Sequence, residues 1–334
     1  MITTDQYCRP IDYLRVSVTD RCNLRCIYCM PEEGVQLYSH DEILRYEEIV
    51  AVVRAAAELG ISKIRLTGGE PLARLGIVDL VRELSAIPGI EDLAMTTNGT
   101  LLARYAADLA EAGLRRVNIS LDSLLPERFH AITRRGDLRD VLAGIEAASS
   151  AGLTPVKINT VVMRGVNDDE VVSLASKTVT DGWNLRFIEW MPVGDDALVH
   201  ADWREHVVTA AEIRARVETE LGPLVPAHDL AGAGPARTFR FAAAGPAAGT
   251  LGFISAISEH FCDTCNRLRL TANGKLRPCL LSDYEIDLYD ALRTGAETEQ
   301  LQDLIRQAIQ AKPRGHGLAS GQRAEARTMA QIGG

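Results

Sequence analysis

Four times in the first 190 residues a helix-favouring run ends in one glycine and passes straight into a β-type run. The transitions are ELG to ISKIRLTGG, EAG to LRRVNISLD, SAG to LTPVKINTVV and TDG to WNLRFIEW, and IPG to IEDLAMTTNG is a weaker copy. Gly60, Gly89, Gly113, Gly152 and Gly182 fit the left-handed residue that closes a helix. They recur every 24 to 39 residues, the order of spacing of βα units. In RYEEIVAVVRAAAELG, Ile49, Val52, Val53, Ala56 and Leu59 keep helical spacing, while Glu47 and Glu48 sit in the first turn, where carboxylates suit the dipole. With a first strand at 12–19, six strands are joined by helices. Such alternation implies parallel strands and right-handed crossovers. Six units fall short of the eight that close a TIM barrel. The expected fold is α/β, an open partial (βα)6 TIM barrel over 5–225; a flat doubly wound sheet is the alternative.

Strand alternation separates two faces. Arg15, Ser17 and Thr19 oppose Val16 and Val18; Lys63, Arg65 and Thr67 oppose Ile64 and Leu66; Asn118, Ser120 and Asp122 oppose Ile119 and Leu121; Lys157 and Asn159 oppose Val156 and Ile158. The aliphatic set should pack under the helices, leaving the polar set to line the interior. Packed TIM barrels fill that space with aliphatic side chains. A polar, cationic interior therefore predicts a wet site for an anionic ligand, with an internal salt-bridge network as the alternative.

The 334 residues suffice for a barrel and a smaller domain, and 46% hydrophobic with 24% charged residues reads as globular. No stretch approaches the roughly 20 apolar residues of a membrane span, and MITTDQYCRP does not read as a signal peptide. A cytoplasmic protein with reduced cysteines is expected. A net charge of −9 argues against non-specific nucleic-acid binding.

Six of the seven cysteines fall into two triads. Cys22, Cys26 and Cys29 have CxxxCxxC spacing just after the first strand. Three thiolates on one loop can hold three irons of a four-iron cluster and leave the fourth open for chemistry; zinc sites favour paired CxxC units. This loop, with Tyr28 before its last cysteine, resembles that of the radical S-adenosylmethionine (SAM) enzymes. TGGEP at 67–71 is a second mark of that superfamily, because glycines allow close backbone approach. Residues 226–250 read as a linker with a hairpin, TFRFAAAGPAAGTLGFISAIS, turning at AAGPAA. The segment 251–334 reads as a smaller domain. It holds Cys262, Cys265 and Cys279, spaced CxxC-x13-C, for either a second open cluster or a zinc site completed by His260 or Asp263. Arg267 and Arg269, two apart on a strand, would face one way and suit phosphate oxygens.

CDTCNRLRLTANGKLRPCL, RFIEWMPVG, LTGGEP, TTNG, NISLDS and the terminal IGG together resemble the GTP 3′,8-cyclase family of radical SAM enzymes, from about Leu14 to Gly334. The resemblance implies two [4Fe-4S] clusters, on Cys22, Cys26 and Cys29 and on Cys262, Cys265 and Cys279. It implies SAM contacts from Tyr28, Gly69, Ser120 and Met191, and GTP contacts from Arg15, Arg65, Thr96, Lys157, Arg267, Leu268 and Arg269. The implied reaction removes the ribose 3′ hydrogen of GTP and joins that carbon to guanine C8, the first step of molybdenum cofactor biosynthesis. An electron donor and a downstream cyclic pyranopterin monophosphate synthase are the implied partners, with a homodimer allowed and neither nucleic acid nor membrane involved. Gly333 and Gly334 are implied to reach into the pocket and assist radical formation. Two other readings stay open: a radical SAM peptide-modifying enzyme with an auxiliary cluster, and a metal-based sensor or nucleic-acid-binding module.

Overall fold

The structure, a computed structural model, describes residues 2–194, 203–227, 234–245, 247–320 and 324–333. Strands β1 (Tyr13–Ser17), β2 (Lys63–Thr67), β3 (Asp92–Thr97), β4 (Arg116–Ser120), β5 (Lys157–Val162) and β6 (Asn184–Glu189) run parallel and neighbour one another in chain order. The connections carry helices α1 (Tyr46–Glu58), α2 (Ile77–Ser85), α3 (Leu102–Glu111), α4 (Pro126–Thr133), α5 (Leu138–Ser150) and α6 (Val171–Thr180). A doubly wound sheet reverses its strand order partway across. This order never reverses, so the partial barrel is the arrangement found. All five transition glycines have positive φ, from +67° to +100°.

The faces separate as alternation predicts. Val16, Val18, Ile64, Leu66, Ile119, Leu121 and Ile158 join one core with Ile49, Val52, Val53 and Ala56 of α1. Helix α1 starts where Glu48 accepts the Arg45 backbone N–H at 2.6 Å, the reach-back half of a capping box.

The C-terminal part builds onto both edges of this sheet. After helix α7 (Ala210–Leu221), β7 (Leu224–Pro226), β8 (Arg237–Phe241) and β9 (Leu251–Ile254) follow one another. Strands β8 and β9 form the expected hairpin, with Thr238 opposite Gly252, and β9 runs parallel to β6. Pro246, within the expected turn, lies outside the described residues. At the other edge β10 (Arg267–Leu270) runs parallel to β1, and β11 (Lys275–Arg277) and β12 (Ile286–Asp287) continue antiparallel. Helices α8 (Tyr289–Arg293), α9 (Thr298–Gln310) and α10 (Met329–Ile332) complete the chain. Among the described residues no helix is long and apolar enough to cross a membrane.

Helix α5 packs on the turn after β3 through Gly144. A Cβ there would meet the Gly99 carbonyl oxygen at 2.4 Å and Leu102 Cβ at 3.2 Å. Backbone yields less readily than a side-chain tip, so Gly144→Ala is expected to destabilise the fold by about 1–3 kcal/mol. A lowered denaturant midpoint at unchanged slope is the measurement that checks it.

Candidate active site

The first cysteine loop is fixed by backbone hydrogen bonds. Arg25 N–H donates to Thr133 O and Ile27 N–H to Ile132 O, both at 3.0 Å, which ties the loop to the end of α4. The Arg25 guanidinium closes it by donating to the Cys22 and Leu24 carbonyls, both at 2.7 Å. The GGEP loop lies against the chain entering this loop. Gly69 N–H donates to Thr19 O and Glu70 N–H to Arg21 O, both at 2.8 Å, and a Cβ on Gly69 would come within 2.4 Å of the Arg21 carbonyl oxygen. The glycine pair thus serves an approach of backbone to backbone. Glu70 is fully buried and accepts from Thr97 Oγ1 and Asn98 N–H, each at 2.7 Å, and from Leu72 N–H at 3.0 Å. Burial pushes its carboxyl up to about 7 against those donors. It joins GGEP to TTNG, whose Asn98 amide also reaches Cys22 Sγ at 3.9 Å.

Register puts the two triads at opposite ends of the barrel. Cys22 follows the C-terminal end of β1, whereas Cys265 precedes the N-terminal end of β10, which is parallel to it. Cys279 joins Cys265 because β11 runs antiparallel to β10 with Arg277 opposite Arg269. The first and last residues of β1 are roughly 13 Å apart at the ordinary strand rise.

Between the triads lies a cationic wall. Arg269 of β10, Arg15 of β1 and Arg65 of β2 are register partners, so three guanidinium-bearing residues stand side by side on adjacent strands. One level down, Arg267, Tyr13 and Lys63 are likewise partners. Arg65 donates to the Tyr13 hydroxyl. Lys63 pairs with Asp12 at 2.5 Å, and Arg116 pairs with Asp92. Among the described residues Arg65, Arg186, Arg267 and Arg269 form no ion pair with a carboxylate, so the salt-bridge alternative covers only part of the positive charge. Burial and then neighbouring arginines push Arg186 down to about 9. Burial, then Arg186, Arg116 and Arg65, push Lys157 down to about 6. Like charges directly opposite one another across strands destabilise. Arg65 Nη1, Thr96 Oγ1, Asn118 Oδ1 and Asn159 Oδ1 are buried without hydrogen-bond partners, a pattern that calls for a polar ligand.

A cavity of about 260 Å³ brings most of the expected residues together: Arg15, Tyr28, Arg65, Thr96, Ser120, Met191, Cys262, Cys265, Arg267, Arg269 and Cys279. Lys157 is buried beside Arg186 rather than on the cavity lining. The Leu268 side chain packs into the aliphatic core, away from its neighbours Arg267 and Arg269, so only its backbone can face a ligand. The Gly333 carbonyl accepts from Arg269 at 3.2 Å, Thr67 Oγ1 at 3.3 Å and Arg15 at 3.4 Å. A Cβ on Gly333 would meet Thr67 Oγ1 at 2.5 Å. Gly334 lies outside the described residues.

Sequence reading missed Arg186, Asp122's partnership and Lys312, all on the cavity. Alternation along NLRFIE would have put Arg186 on the interior face. Asp122 accepts from the Tyr28 hydroxyl at 2.7 Å and Val161 N–H at 2.8 Å. Lys312 belongs to no motif.

Both triads suit iron–sulfur ligation in donor chemistry. None of the six is in a disulfide among the described residues, and all are partly buried. Burial, then Cys29, Asp122 and Cys22, raise the Cys26 thiol, which places these groups together. Burial opposes ionisation of Cys265, but Arg267 and Lys312 outweigh it and bring the thiol down to about 6.

The sequence matches two family models, Radical SAM superfamily over residues 16–177 and Molybdenum Cofactor Synthesis C over residues 183–318. It is 55% identical over 330 residues to the GTP 3′,8-cyclase of Pelotomaculum thermopropionicum and 51% identical over 332 residues to that of Thermodesulfovibrio yellowstonii, with 99% of both chains covered in each comparison. The chain belongs to the GTP 3′,8-cyclase family. The fold is also that of Streptococcus suis SuiB bound to S-adenosylmethionine, at a TM-score of 0.57 and 15% identity over 89% of this chain and 68% of that one. Membership places this chain among the radical SAM enzymes, against the sensor and nucleic-acid readings.

If the row of guanidiniums is held against its own repulsion, removing one should stabilise the ligand-free protein. Arg65→Met is expected to raise its stability by about 1–3 kcal/mol while weakening anion binding. Thermal melts with and without nucleoside triphosphate check both halves.

Proposed function

We propose that the cavity holds GTP against the cationic wall with SAM at the Cys22 end, and that the chain cyclises GTP to 3′,8-cyclo-7,8-dihydro-GTP, the first step of molybdenum cofactor biosynthesis. The observation that carries this reading is the register row Arg269–Arg15–Arg65 set between two thiol triads. A guanidinium fork matches phosphate oxygens and keeps its charge when buried.

Cys22, Cys26 and Cys29 would hold one [4Fe-4S] cluster, and Cys262, Cys265 and Cys279 the other. Together with SAM, the first cluster supplies the hydrogen-abstracting radical when bound. Tyr28, Gly69, Ser120 and Met191 are proposed to position SAM, with Tyr28 oriented by Asp122. Arg15, Arg65, Thr96, Lys157, Arg267 and Arg269, together with the Leu268 backbone, are proposed to hold GTP. Gly333 brings the tail to the same arginines, where it assists radical formation; Gly334 is proposed to act with it. Val193, Leu281, Leu318 and Ile332 pack with Met191 and Met329 into an apolar plug. That plug keeps water from a carbon radical. An external one-electron donor, a downstream cyclic pyranopterin monophosphate synthase, action in the cytoplasm and possible pairing as a homodimer complete the proposal.

Anaerobic protein is expected to hold about eight irons per chain. Cys26→Ala should abolish reductive SAM cleavage. Cys265→Ala should retain it and lose GTP conversion, read by chromatography of deoxyadenosine and of the cyclised nucleotide. Equal loss of cleavage in both variants, or turnover of a peptide in place of GTP, would sink this assignment.

Lys157 adds a pH signature. With its folded value near 6 against an ordinary 10.5, the unfolded chain holds an extra proton between those values. Through this group, stability of the ligand-free protein rises as pH increases across that window. A triphosphate beside the amine restores the proton, so GTP binding at pH 8 is expected to take up close to one proton. Calorimetry in buffers of different ionisation enthalpy measures the uptake, which should shrink in Lys157→Met.

A further inference from the structure

Ladder pairing between β10 and β11 ends at Arg269 and Arg277. Just beyond it lie the residues that carry the second triad: Arg267 two places after Cys265, and Pro278 immediately before Cys279. Proline has no N–H, so it cannot donate another rung there. The side chain of Lys312, 2% exposed and just past α9, takes that place. Its Nζ donates to the Arg267 carbonyl and to the Pro278 carbonyl, both at 2.7 Å.

Arg9 holds the remaining arm. It donates to the Cys262 carbonyl at 2.7 Å, to the Pro313 carbonyl at 2.7 Å and to the Arg314 carbonyl at 3.1 Å. One residue from the start of the chain and one from near its end therefore clamp the backbone at all three cysteines. The two cations differ in charge balance. Arg9 is neutralised by buried Asp5 at 2.6 Å. Among the described residues no carboxylate pairs with Lys312; its Nζ donates to two uncharged carbonyls and also reaches the Cys265 thiol. The Lys312 amine thus stands beside Cys265 and Cys279, where burial works against its charge and the two thiols favour it.

We propose that Lys312 is a positioning residue for the second cluster, pinning the segments that carry Cys265 and Cys279 and raising the cluster's reduction potential through its charge, while Arg9, its charge offset by Asp5, acts on the Cys262 arm chiefly as a clamp. Reduction adds negative charge to a cluster, and a buried cation nearby stabilises the reduced form. Potentials of such clusters follow local charge and hydrogen bonding. The inference rests on the reading that Cys262, Cys265 and Cys279 hold a cluster.

The test is a redox titration, followed by electron paramagnetic resonance, of the anaerobically reconstituted full-length protein. The second cluster is identified as the signal perturbed by GTP and the first as that perturbed by SAM. Lys312→Met is expected to move the GTP-sensitive midpoint to more negative potential and leave the SAM-sensitive midpoint in place. Lys312→Arg is expected to return it towards wild type. Arg9→Gln is expected to lower second-cluster iron occupancy with the midpoint of the remaining cluster unchanged. A Lys312→Met protein with wild-type iron and a wild-type midpoint overturns the proposal, as does an equal shift in Arg9→Gln, which would assign the effect to looseness. If Lys312→Met does not retain the cluster, Lys312→Gln, which keeps a donor, is read by the same criterion. Wild-type protein with no GTP-sensitive signal sinks the two-cluster reading itself, whereas two signals and an unmoved midpoint sink only the role of Lys312.

Discussion

Three arginines at one level on three adjacent strands are what the rest of the architecture has to carry. If the charges kept the spacing of the strands, each neighbouring pair would repel by on the order of 3 kcal/mol at an effective dielectric of 20. Among the described residues the carboxylates of Asp92 and Asp12 pair with other cations, Arg116 and Lys63. The opposing term lies on the far face of the same strands. There Val16, Leu66, Ile119 and Ile158 alternate with the polar set and pack against the helices. Site and core are therefore two readings of one period-2 pattern, and neither can change register without the other.

Parallel barrels concentrate chemistry at the C-terminal mouth, where the βα loops gather. Here the N-terminal mouth is also furnished, because β10 enters beside β1 with the second triad just ahead of it. A ligand held on the arginine row can face one triad with one end and the other triad with its opposite end. Met191, Leu281 and Met329 of the apolar cluster line the same cavity as the arginines. Carboxylates serve this arrangement indirectly. Glu70 joins two loops of the first mouth, and Glu189 accepts from Ala210, Ile257 and Ser258 to bind β6 to the segments that cover it.

The barrel was legible because its signals are local. Glycines closing helices and side chains alternating along strands require no knowledge of distant residues, and both triads announce themselves within short segments. What escaped depends on pairing across long separations. That β10 would lie beside β1, aligning Arg269 with Arg15, follows from no nearby pattern. Leu268 stands between two site arginines in sequence, yet strand alternation sends its side chain into the core. Arg186 carries a local signal, since alternation along its own strand puts it on the interior face. Lys312 had none, since its role comes from two carbonyls, and carbonyls carry no sequence signature.

The pairing of β1 with β10 has a consequence for how the chain is made. Strand β1 is synthesised about 250 residues ahead of β10, the partner of its outer edge. Through most of synthesis that edge offers unpaired backbone groups of the kind that recruit foreign strands. The same interval separates Arg9 from the Cys262 carbonyl it clamps. The Gly333 carbonyl, which settles against Arg15 and Arg269, lies further along the chain again. The nascent barrel must wait half-built for these closing pieces.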